Sequence, residues 1–322
     1  MDPERMLEKC RQGQWKIDVD LDWSVPPRPM TREEEISVVQ YFTDMSGIER
    51  LAGALFEEQR KRVDDPTMKK IFATFVADEE RHAEVAERLA RYYDVHGYRG
   101  YELNPSLAAF APHFVDAVKY LSAEIATVYI TGGELILDVA LLRSINDYVH
   151  DTMSQKALDL VNRDESRHIA VDYHMTEYYS SPEYQQYLAA QPPQPIRERV
   201  KALWAFANVL YHAKPFFQDV FFTPMSVVDP SGRRLREAFK RFQLVGTKPE
   251  VAKRPFVKFM RTVRDIAVHP LTGPLLGGAM GRLLGLPPEL MSDVYTAEEE
   301  QRAQRMTFDE LAEDALGAKH LS

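Results

Sequence analysis

Two segments of the chain, VADEERHAEVAE (residues 76–87) and VNRDESRHIAVDYH (residues 161–174), repeat the five-residue pattern Asp-Glu-x-Arg-His. Both segments otherwise have the apolar and polar spacing of an ordinary amphipathic α-helix. The same group of charged residues is therefore predicted on two separate helices. The role of this repeated group determines which fold the sequence predicts.

Each repeat places a carboxylate and an imidazole on one helix face. Residues three apart on an α-helix lie about one turn apart on the same face, so Glu79 with His82, and Glu165 with His168, can each bind one metal ion. A single Glu-x-x-His motif is weak evidence, because roughly one chance occurrence is expected in a chain with this many acids and histidines. Two occurrences that both lie inside Asp-Glu-x-Arg-His favour a metal site over surface salt bridges.

The hydrophobic pattern predicts an all-α protein built on a four-helix bundle. No segment alternates apolar and polar residues over a length that favours a sheet. We expect an extended N-terminal arm over residues 1–30, the bundle over residues 31–181, and additional helices and loops packed on it over residues 182–322. The predicted helices cover residues 32–62, 66–96, 105–146 (with room for a break), 151–180, 196–221, 232–244, 250–268 and 296–316, and the stretches 180–195 and 269–291 are predicted to be turn-rich.

The residues that face the two motifs across their helical hairpins are also glutamates. In two antiparallel helices joined by a tight turn, residues equally distant in sequence from the turn lie at the same height. The predicted turn near residue 64 pairs Glu79 with Glu49, and the turn near residue 149 pairs Glu165 with Glu134. Each hairpin is therefore predicted to offer two glutamates and one histidine.

Six residues form the predicted dinuclear site. One Glu from each of two helices and a Glu-x-x-His from each of the other two are the ligands of the di-iron or di-manganese site in ferritin-like bundles. Carboxylate oxygens and imidazole suit iron and manganese, and four carboxylates balance the charge of two divalent ions. The predicted ligands are Glu49, Glu79, His82, Glu134, Glu165 and His168.

The Asp and Arg of each motif are predicted to support the ligands. We expect Asp78 and Asp164 each to accept a hydrogen bond from the outer ring nitrogen of a ligand histidine, that of the opposite motif, and so to fix its tautomer. Arg81 and Arg167 are expected to hold those aspartates or to balance the surplus negative charge.

Small residues beside the ligands predict space for O2 and substrate. A glycine inside a helix costs about 1 kcal/mol relative to alanine, so the pair Gly132 and Gly133 indicates a helix bulge or room for a bound molecule. Ser46, Gly53 and Val161 are expected to line the same space, and its apolar side chains favour an aromatic or acyl substrate. Close packing between helices is the alternative explanation for the small residues.

These residues resemble the ferritin-like di-iron oxygenases, and most closely the p-aminobenzoate N-oxygenase family of arylamine oxygenases. That family is marked by a Glu followed about 30 residues later by Asp-Glu-x-x-His, which Glu49 with residues 78–82 and Glu134 with residues 164–168 match. The resemblance covers roughly residues 30–180. It implies that two reduced irons bind O2 and oxidise an amine nitrogen, with electrons from a partner reductase, a ferredoxin or the substrate.

The chain departs from that family at one position. The characterised arylamine oxygenases carry a seventh ligand, a histidine one turn before the last Glu-x-x-His, and Val161 occupies that position here. The predicted set of four Glu and two His resembles instead that of acyl-carrier-protein desaturases, bacterial multicomponent hydroxylases and ribonucleotide reductase small subunits. A desaturase or hydroxylase of the same fold is the alternative enzyme. A manganese catalase-like protein and a non-redox metal-binding bundle are the alternatives outside the oxygenases.

Positive charge is concentrated in residues 231–265, called the basic segment below. It holds eleven Lys or Arg against three acidic residues, a local charge of +8 in a chain of net charge −9. Such a segment can attract a nucleic acid, a phosphorylated substrate or an acidic carrier protein, but solvated faces of ordinary helices carry similar charge. We expect a small-molecule substrate, which a carrier protein can deliver, and no nucleic-acid partner.

Composition limits the compartment and the kind of site. The chain has 322 residues and one cysteine, Cys10, so a disulfide framework is excluded and metal ligands must be carboxylates and imidazoles. No run of apolar residues approaches the roughly 20 that span a bilayer, and the first residues lack the apolar stretch of a signal peptide. We therefore expect a cytoplasmic enzyme without membrane contact, and this expectation is compatible with a homodimer.

Overall fold

The computed structural model describes residues 1–270, 290 and 292–319. This part of the chain is helical and contains no strand, so the predicted all-α class is confirmed. The first half contains α1 Pro3–Gln12, α2 Ile17–Asp20, α3 Arg32–Arg62, α4 Pro66–Tyr93, α5 Pro105–Tyr120, α6 Ala123–Leu135, the π-helical segment π1 Ile136–Leu141, α7 Leu142–Val149 and α8 Thr152–Ser180. The second half contains α9 Pro182–Ala190, α10 Ile196–Phe216, the π-helical segment π2 Phe217–Phe222, α11 Thr223–Val228, α12 Arg233–Val245, α13 Pro249–Ala252, α14 Pro255–Val268, α15 Ala297–Arg305 and α16 Phe308–Ala318.

Side-chain caps set where the central helices begin. Thr31 and Glu34 form a capping box at the start of α3. Asp65 caps α4 with Pro66 in its first turn, and Asp151 caps α8. Each cap satisfies a backbone N–H that the first turn leaves without an intrahelical partner, which stabilises a helix by about 1 kcal/mol.

Four helices surround one interior. α3 packs on α4, α4 on α8, α8 on α6, and α6 on α3. Phe42 stacks on Tyr93 at one level of the interior, and Phe56 packs edge-on against Phe75 at another, with ring centroids 5.7 Å and 5.3 Å apart. Burying each such ring contributes about 1.5–3 kcal/mol. These aromatic layers hold α3 and α4 in register above and below the level of the predicted ligands.

The third predicted helix, over 105–146, is divided into pieces. α5 ends at Tyr120, and the Ser122 hydroxyl caps α6 by accepting a hydrogen bond from the backbone N–H of Ile125. α6 then passes into π1 at Ile136, whose backbone N–H is shared between the carbonyls of Gly132 and Gly133. The helix bulge expected from the glycine pair is therefore present as a π-helical turn, two residues after Glu134.

The predicted extended arm over residues 1–30 needs correction, because it is partly helical. Asp2 caps α1 by accepting hydrogen bonds from two backbone N–H groups. α1 buries Met6, Leu7 and Cys10 against α4 and α8. The tryptophans and prolines of residues 14–30 obscure this short helix in the sequence, whereas its apolar residues follow helical spacing.

The chain after residue 181 adds helices to the central four. α10 packs on α5, α12 packs on π1 and α6, and α16 packs on α8. Three predictions need correction: residues 180–195 contain α9, residues 250–268 form α13 and α14, and residues 296–316 form α15 and α16 rather than one surface helix. The turn-rich stretch predicted over 269–291 lies mostly outside the described residues.

One described stretch, Ala123–Val149, is long and apolar enough to cross a membrane by length and composition. Polar residues interrupt the apolar runs of this stretch, so the sequence pattern alone does not indicate a membrane span. Its most apolar window is 72% buried inside the protein, as expected for a core helix. This burial is compatible with a soluble protein.

Candidate metal centre

The structure brings all six predicted ligands together in the interior of the four central helices. Glu49 lies on α3, Glu79 and His82 on α4, Glu134 on α6, and Glu165 and His168 on α8. The ligand atoms form two groups, each with its members within 4.8 Å of one another. One group is Glu49, Glu79, His82 and Glu165, and the other is Glu79, Glu134, Glu165 and His168. Glu79 and Glu165 belong to both groups, so each of them could contribute an oxygen to both.

The two histidines point the same ring nitrogen at the carboxylates. His82 Nδ1 lies 3.1 Å from Glu165 Oε1. His168 Nδ1 lies 3.1 Å from Glu79 Oε1 and 2.9 Å from Glu165 Oε2. His82 and His168 are fully buried, so solvent does not compete for these nitrogens. The Nδ1 atoms are therefore the ring atoms placed to bind metal.

The outer ring nitrogens face the aspartates of the opposite motifs. His82 Nε2 lies 3.1 Å from Asp164 Oδ2, and His168 Nε2 lies 3.6 Å from Asp78 Oδ2. The first distance is a hydrogen bond, and the second is longer than one. The crossed arrangement ties α4 to α8 through both histidines.

The two arginines bridge both aspartates. Arg81 donates to Asp164 at 2.8 Å and also pairs with Asp78. Arg167 donates to Asp164 at 2.7 Å and to Asp78 at 3.2 Å. Two positive and two negative charges thus form a neutral layer on one side of the ligands. The four ligand carboxylates are left with the imidazoles as their nearest positive partners.

Burial and mutual repulsion change the protonation of the carboxylates. Burial, followed by the charge of Glu79, raises the pKa of Glu49 well above its usual range. Burial, followed by the charge of Glu165, raises the pKa of Glu134 in the same way. Burial is the largest single influence and acts to raise the pKa of Glu165, but the interactions with His168 and His82 together outweigh it and hold that pKa well below its usual range.

The histidines respond in the opposite sense. Burial is the largest single influence and disfavours a charged imidazole, but the contacts with Asp164, Glu165 and Glu79 together outweigh it and raise the pKa of His82 well above the ordinary value. Burial likewise is the largest single influence on His168 and disfavours its charge, but the interactions with Glu165, Asp78 and Glu134 together outweigh it and raise the pKa of His168 well above the ordinary value. In the metal-free site, protonated imidazoles therefore take the electrostatic place that cations would take.

The donor set fits metal ions better than it fits internal hydrogen bonding. Among the described residues, both carboxylate oxygens of Glu49 and of Glu79 are buried without a hydrogen-bond partner, as is Nδ1 of His82. Buried polar atoms are normally satisfied, and a group of orphaned oxygen and nitrogen atoms that converge on one space needs an explanation. Two divalent cations would provide it, because they would satisfy these atoms and balance four carboxylate charges.

The sequence analysis missed two residues of the N-terminal segment that reach this site. Trp15 Nε1 donates to Asp164 Oδ2 at 2.7 Å, and its ring stacks on His82 with centroids 6.5 Å apart. Gln14 Nε2 donates to Asp78 Oδ1 at 3.0 Å. These residues follow α1, so the misread arm is the reason that they were missed.

Two further buried acids near the ligands were also missed. Asp138 lies on π1 and pairs with Lys319 at the end of α16, and burial raises its pKa to about 7. Lys319 Nζ also donates to Ser166 Oγ on α8 at 3.0 Å, which anchors the C-terminal helix beside the site. Asp172 lies one turn after His168 on α8 and is fully buried. Its spacing of four from a ligand histidine is the signal that could have identified it.

The predicted pocket residues separate into two groups. Gly132 and Gly133 line an apolar cavity of about 210 Å³ that reaches Glu134, and a Cβ at Gly133 would meet open space. Gly53 does not line it, since a Cβ there would lie 3.2 Å from Glu79 Cβ. Ser46 and Val161 are also buried outside its wall. For these three residues, close packing replaces the predicted open space.

The cavity beside Glu134, called the phenylalanine-lined cavity below, is built jointly by the first half of the chain and the added helices. The contributing elements are α3, α5, α6, π1, α10, π2, α12 and α14. Its aromatic wall includes Phe110, Phe206, Phe216, Phe242, Phe256 and Phe259. The cavity therefore offers an apolar ligand a position next to one carboxylate of the centre.

Comparisons with known proteins found no match to this chain. No protein-family model, curated protein or solved structure matches the chain. The identity, burial and geometry of the six side chains are therefore the evidence for a metal centre.

Proposed function

We propose that the protein is a ferritin-like, non-haem di-iron oxygenase whose six buried ligands bind two metal ions. The observation that carries this proposal is the pair of overlapping groups, each of three glutamates and one histidine, that share Glu79 and Glu165. Carboxylate-rich sites with one imidazole per ion suit iron and manganese. Iron supplies the capacity to reduce and activate O2 when it is bound.

The chain's own residues hold and isolate such a centre. The crossed pairs of Asp164 with His82 and Asp78 with His168 orient the ligand rings. Arg81 and Arg167 neutralise those aspartates, so the ligand carboxylates keep their charge for the metal ions. The full burial of the ligands keeps bulk water away from a reacting substrate.

The phenylalanine-lined cavity supports an enzyme rather than a storage protein. Pockets that bind small molecules are mostly apolar and place a few polar groups at the reacting end, as Glu134 is placed here. A cavity of about 150 Å³ accepts benzene in a well-studied case. The volume of about 210 Å³ therefore suits a small aromatic or short acyl substrate, and oxidation at an arylamine nitrogen is the reaction that the sequence resemblance favours.

The test is O2 consumption by anaerobically iron-loaded, reduced protein in the presence of a panel of arylamines and short acyl compounds. We expect O2 uptake faster than that of free iron, and an oxidised product from an apolar aromatic compound. Glu79→Ala is the matched inactive variant, because it removes a shared ligand. Uptake no faster than free iron would leave a non-redox metal-binding protein as the better account, and rapid disproportionation of peroxide would favour a catalase.

A further inference from the structure

A line of buried polar side chains continues from the metal centre along the interior. Thr127 and Thr131 lie on α6, Asp172 and Thr176 on α8, and Gln59 on α3. All five are between 0% and 4% exposed. None of them is a ligand in either group of the metal centre. We call these five residues the polar track.

Helix geometry places the track on faces that begin at the ligands. On α8, His168, Asp172 and Thr176 are spaced by four residues, so they share one face. On α6, Thr131 and Thr127 precede Glu134 by three and seven residues and share a face with it in the same way. At 1.5 Å per residue, each face extends about 10 Å from its ligand.

The two faces meet each other, and α3 meets them. α6 packs on α8, and Thr131 and Thr176 line one cavity of about 120 Å³. Gln59 Nε2 donates to Thr127 Oγ1 at 3.5 Å, and Thr131 Oγ1 donates to the Thr127 carbonyl at 2.8 Å. Hydrogen bonds therefore join Gln59, Thr127 and Thr131, and Thr131 and Thr176 face one common cavity.

Several oxygen atoms of the track are orphaned. Within the described part of the chain, both carboxylate oxygens of Asp172, Oγ1 of Thr176 and Oε1 of Gln59 are buried without a hydrogen-bond partner. Core packing normally avoids such atoms or pairs them. Four orphaned oxygens, three on α8 and one on α3, are better explained by a pathway that passes hydrogen bonds along than by packing.

Asp172 is the titratable member of the track. Burial raises its pKa well above the usual range; attraction to His168 opposes the shift, and repulsion by Glu165 and Glu79 adds to it. These are the charged groups that act on Asp172 from α8 and α4. A carboxyl in this state carries a proton that it can donate from one oxygen while it accepts another proton on the second oxygen.

The second cavity gives the track an outlet. Its wall is largely apolar, and besides Thr131 and Thr176 its polar side chains include Gln243, Arg264 and Asp293. Arg264 and Asp293 form an ion pair at 2.6 Å, and the Asp293 side chain is 44% exposed. The wall therefore runs from hydroxyls inside the protein to a charged pair at the surface.

We propose that the polar track conducts protons between the metal centre and the cavity lined by Thr131 and Thr176, with Asp172 as the relay. The proposal rests on the proposed function, because metal binding must release protons from the ligands and reduction of O2 must consume them. Each transfer moves one proton into Asp172 and one out, so the relay itself is unchanged.

The experiment measures proton exchange in the metal-free protein and needs no turnover. Protein with ¹⁵N-labelled histidine is transferred to deuterated buffer, and loss of the buried His168 ring N–H signal is followed by NMR. We expect Asp172→Asn to slow this exchange at least tenfold, because the amide cannot relay a proton in the same way. Asp44→Asn is the matched control: Asp44 is a buried acid on α3 on the other side of Glu49 from Gln59, and the variant should exchange like wild type.

Thr176→Val provides a second variant, since it keeps the side-chain shape and removes one hydroxyl of the track. We expect intermediate slowing from it, so the proposal stays open to test if Asp172→Asn fails to fold. Unchanged exchange in a folded track variant would overturn the proposal. A separate measurement of Mn²⁺ binding distinguishes this failure from failure of the metal centre. Wild-type protein that binds two Mn²⁺ per chain supports the centre whatever the exchange rates are. Wild-type protein that binds no Mn²⁺ overturns the proposed function and, with it, the proposed relay.

Discussion

The metal centre and the basic segment are both concentrations of charge, but the fold treats them in opposite ways. The centre gathers four carboxylates in the interior, and its nearest positive partners are two titratable imidazoles. The basic segment lies on α12, α13 and α14, and many of its cations pair within the protein. Arg234 pairs with Asp147, Lys240 with Glu237 and Glu299, Arg241 with Glu237 and Asp314, and Arg264 with Asp265 and Asp293.

This difference shows which charge patterns predict an external partner. The charges of the centre have only titratable imidazoles as nearby positive partners, so a bound cation would complete them. In the basic segment, Arg234, Lys240, Arg241 and Arg264 each pair with an acid from outside the segment, and Lys248 donates to the Gln304 and Met306 carbonyls. The segment therefore attaches α15 and α16 to α12, and its local charge of +8 overstates what it presents to a carrier protein.

The largest expected effect comes from removing a shared ligand. Glu79→Ala should weaken binding of both ions by more than about 100-fold, since loss of a supporting residue alone costs about 10–100-fold. Metal content after dialysis against Mn²⁺ measures it. Glu237→Ala removes an acid of similar helical context in the basic segment and should leave two ions bound. Equal metal content in both variants would remove the distinction between the two regions.

Trp15 should matter less than a ligand but more than a surface residue. Trp15→Phe keeps the ring on His82 and removes the hydrogen bond to Asp164, so metal affinity should fall about 10-fold or more. Competition with a fluorescent chelator gives the affinity. Trp204→Phe is the control, because Trp204 is 71% exposed and should have no effect.

The stability of the metal-free protein should fall as the pH rises. The folded-state pKa values of His82, His168, Glu49 and Glu134 are all raised. Each group therefore contributes stability below its unfolded pKa and loses it as the pH rises through the folded pKa. For the histidines the loss begins above about pH 6.5. Urea midpoints between about pH 6 and 9 measure it, and Mn²⁺ should flatten the dependence; a rising midpoint without metal would contradict the account.

Filling the phenylalanine-lined cavity should affect ligands and not metal. Gly133→Leu places a side chain in open space in its wall and should abolish binding of fluorobenzene, followed by ¹⁹F NMR, with two ions still bound. Gly317→Leu is the control, since Gly317 also meets open space and is exposed on α16. Fluorobenzene that binds both variants equally would place the substrate elsewhere.

The smallest effects are expected in the basic segment. Arg241→Ala should destabilise the protein by about 1 kcal/mol, because it removes pairs with Glu237 and Asp314 that are partly shielded from solvent. Lys258→Ala, at an exposed position, should stay within about 0.5 kcal/mol of wild type in urea denaturation. A large effect of Lys258→Ala on activity with a carrier-bound substrate would instead indicate that the basic segment binds an acidic carrier protein.

The sequence predicted the six-residue grouping well because helical spacing and hairpin symmetry are local rules. Glu49 and Glu134 could be identified only by mirroring Glu79 and Glu165 about their turns, and the structure brings them to the same interior. Gln14, Trp15 and Lys319 could not be found that way. They reach the site from segments distant in sequence, and no periodic pattern relates them to a ligand.

The residues predicted to line the pocket show the same limit of prediction from sequence. Small residues indicate either space or close approach, and only the neighbouring helix decides between them. At Gly53 that neighbour is Glu79 Cβ, whereas Gly133 faces a cavity that helices from the second half of the chain enclose. Contacts between segments distant in sequence decide between close packing and open space, and residue spacing within one helix does not predict those contacts.

The most direct test of the central claim is anomalous diffraction from crystals of the protein grown with Mn²⁺. The account predicts two anomalous peaks in the interior of α3, α4, α6 and α8, about 3.5–4 Å apart, with Glu79 and Glu165 between them. A single peak bound outside these six ligands, or no peak after loading at neutral pH, would contradict it.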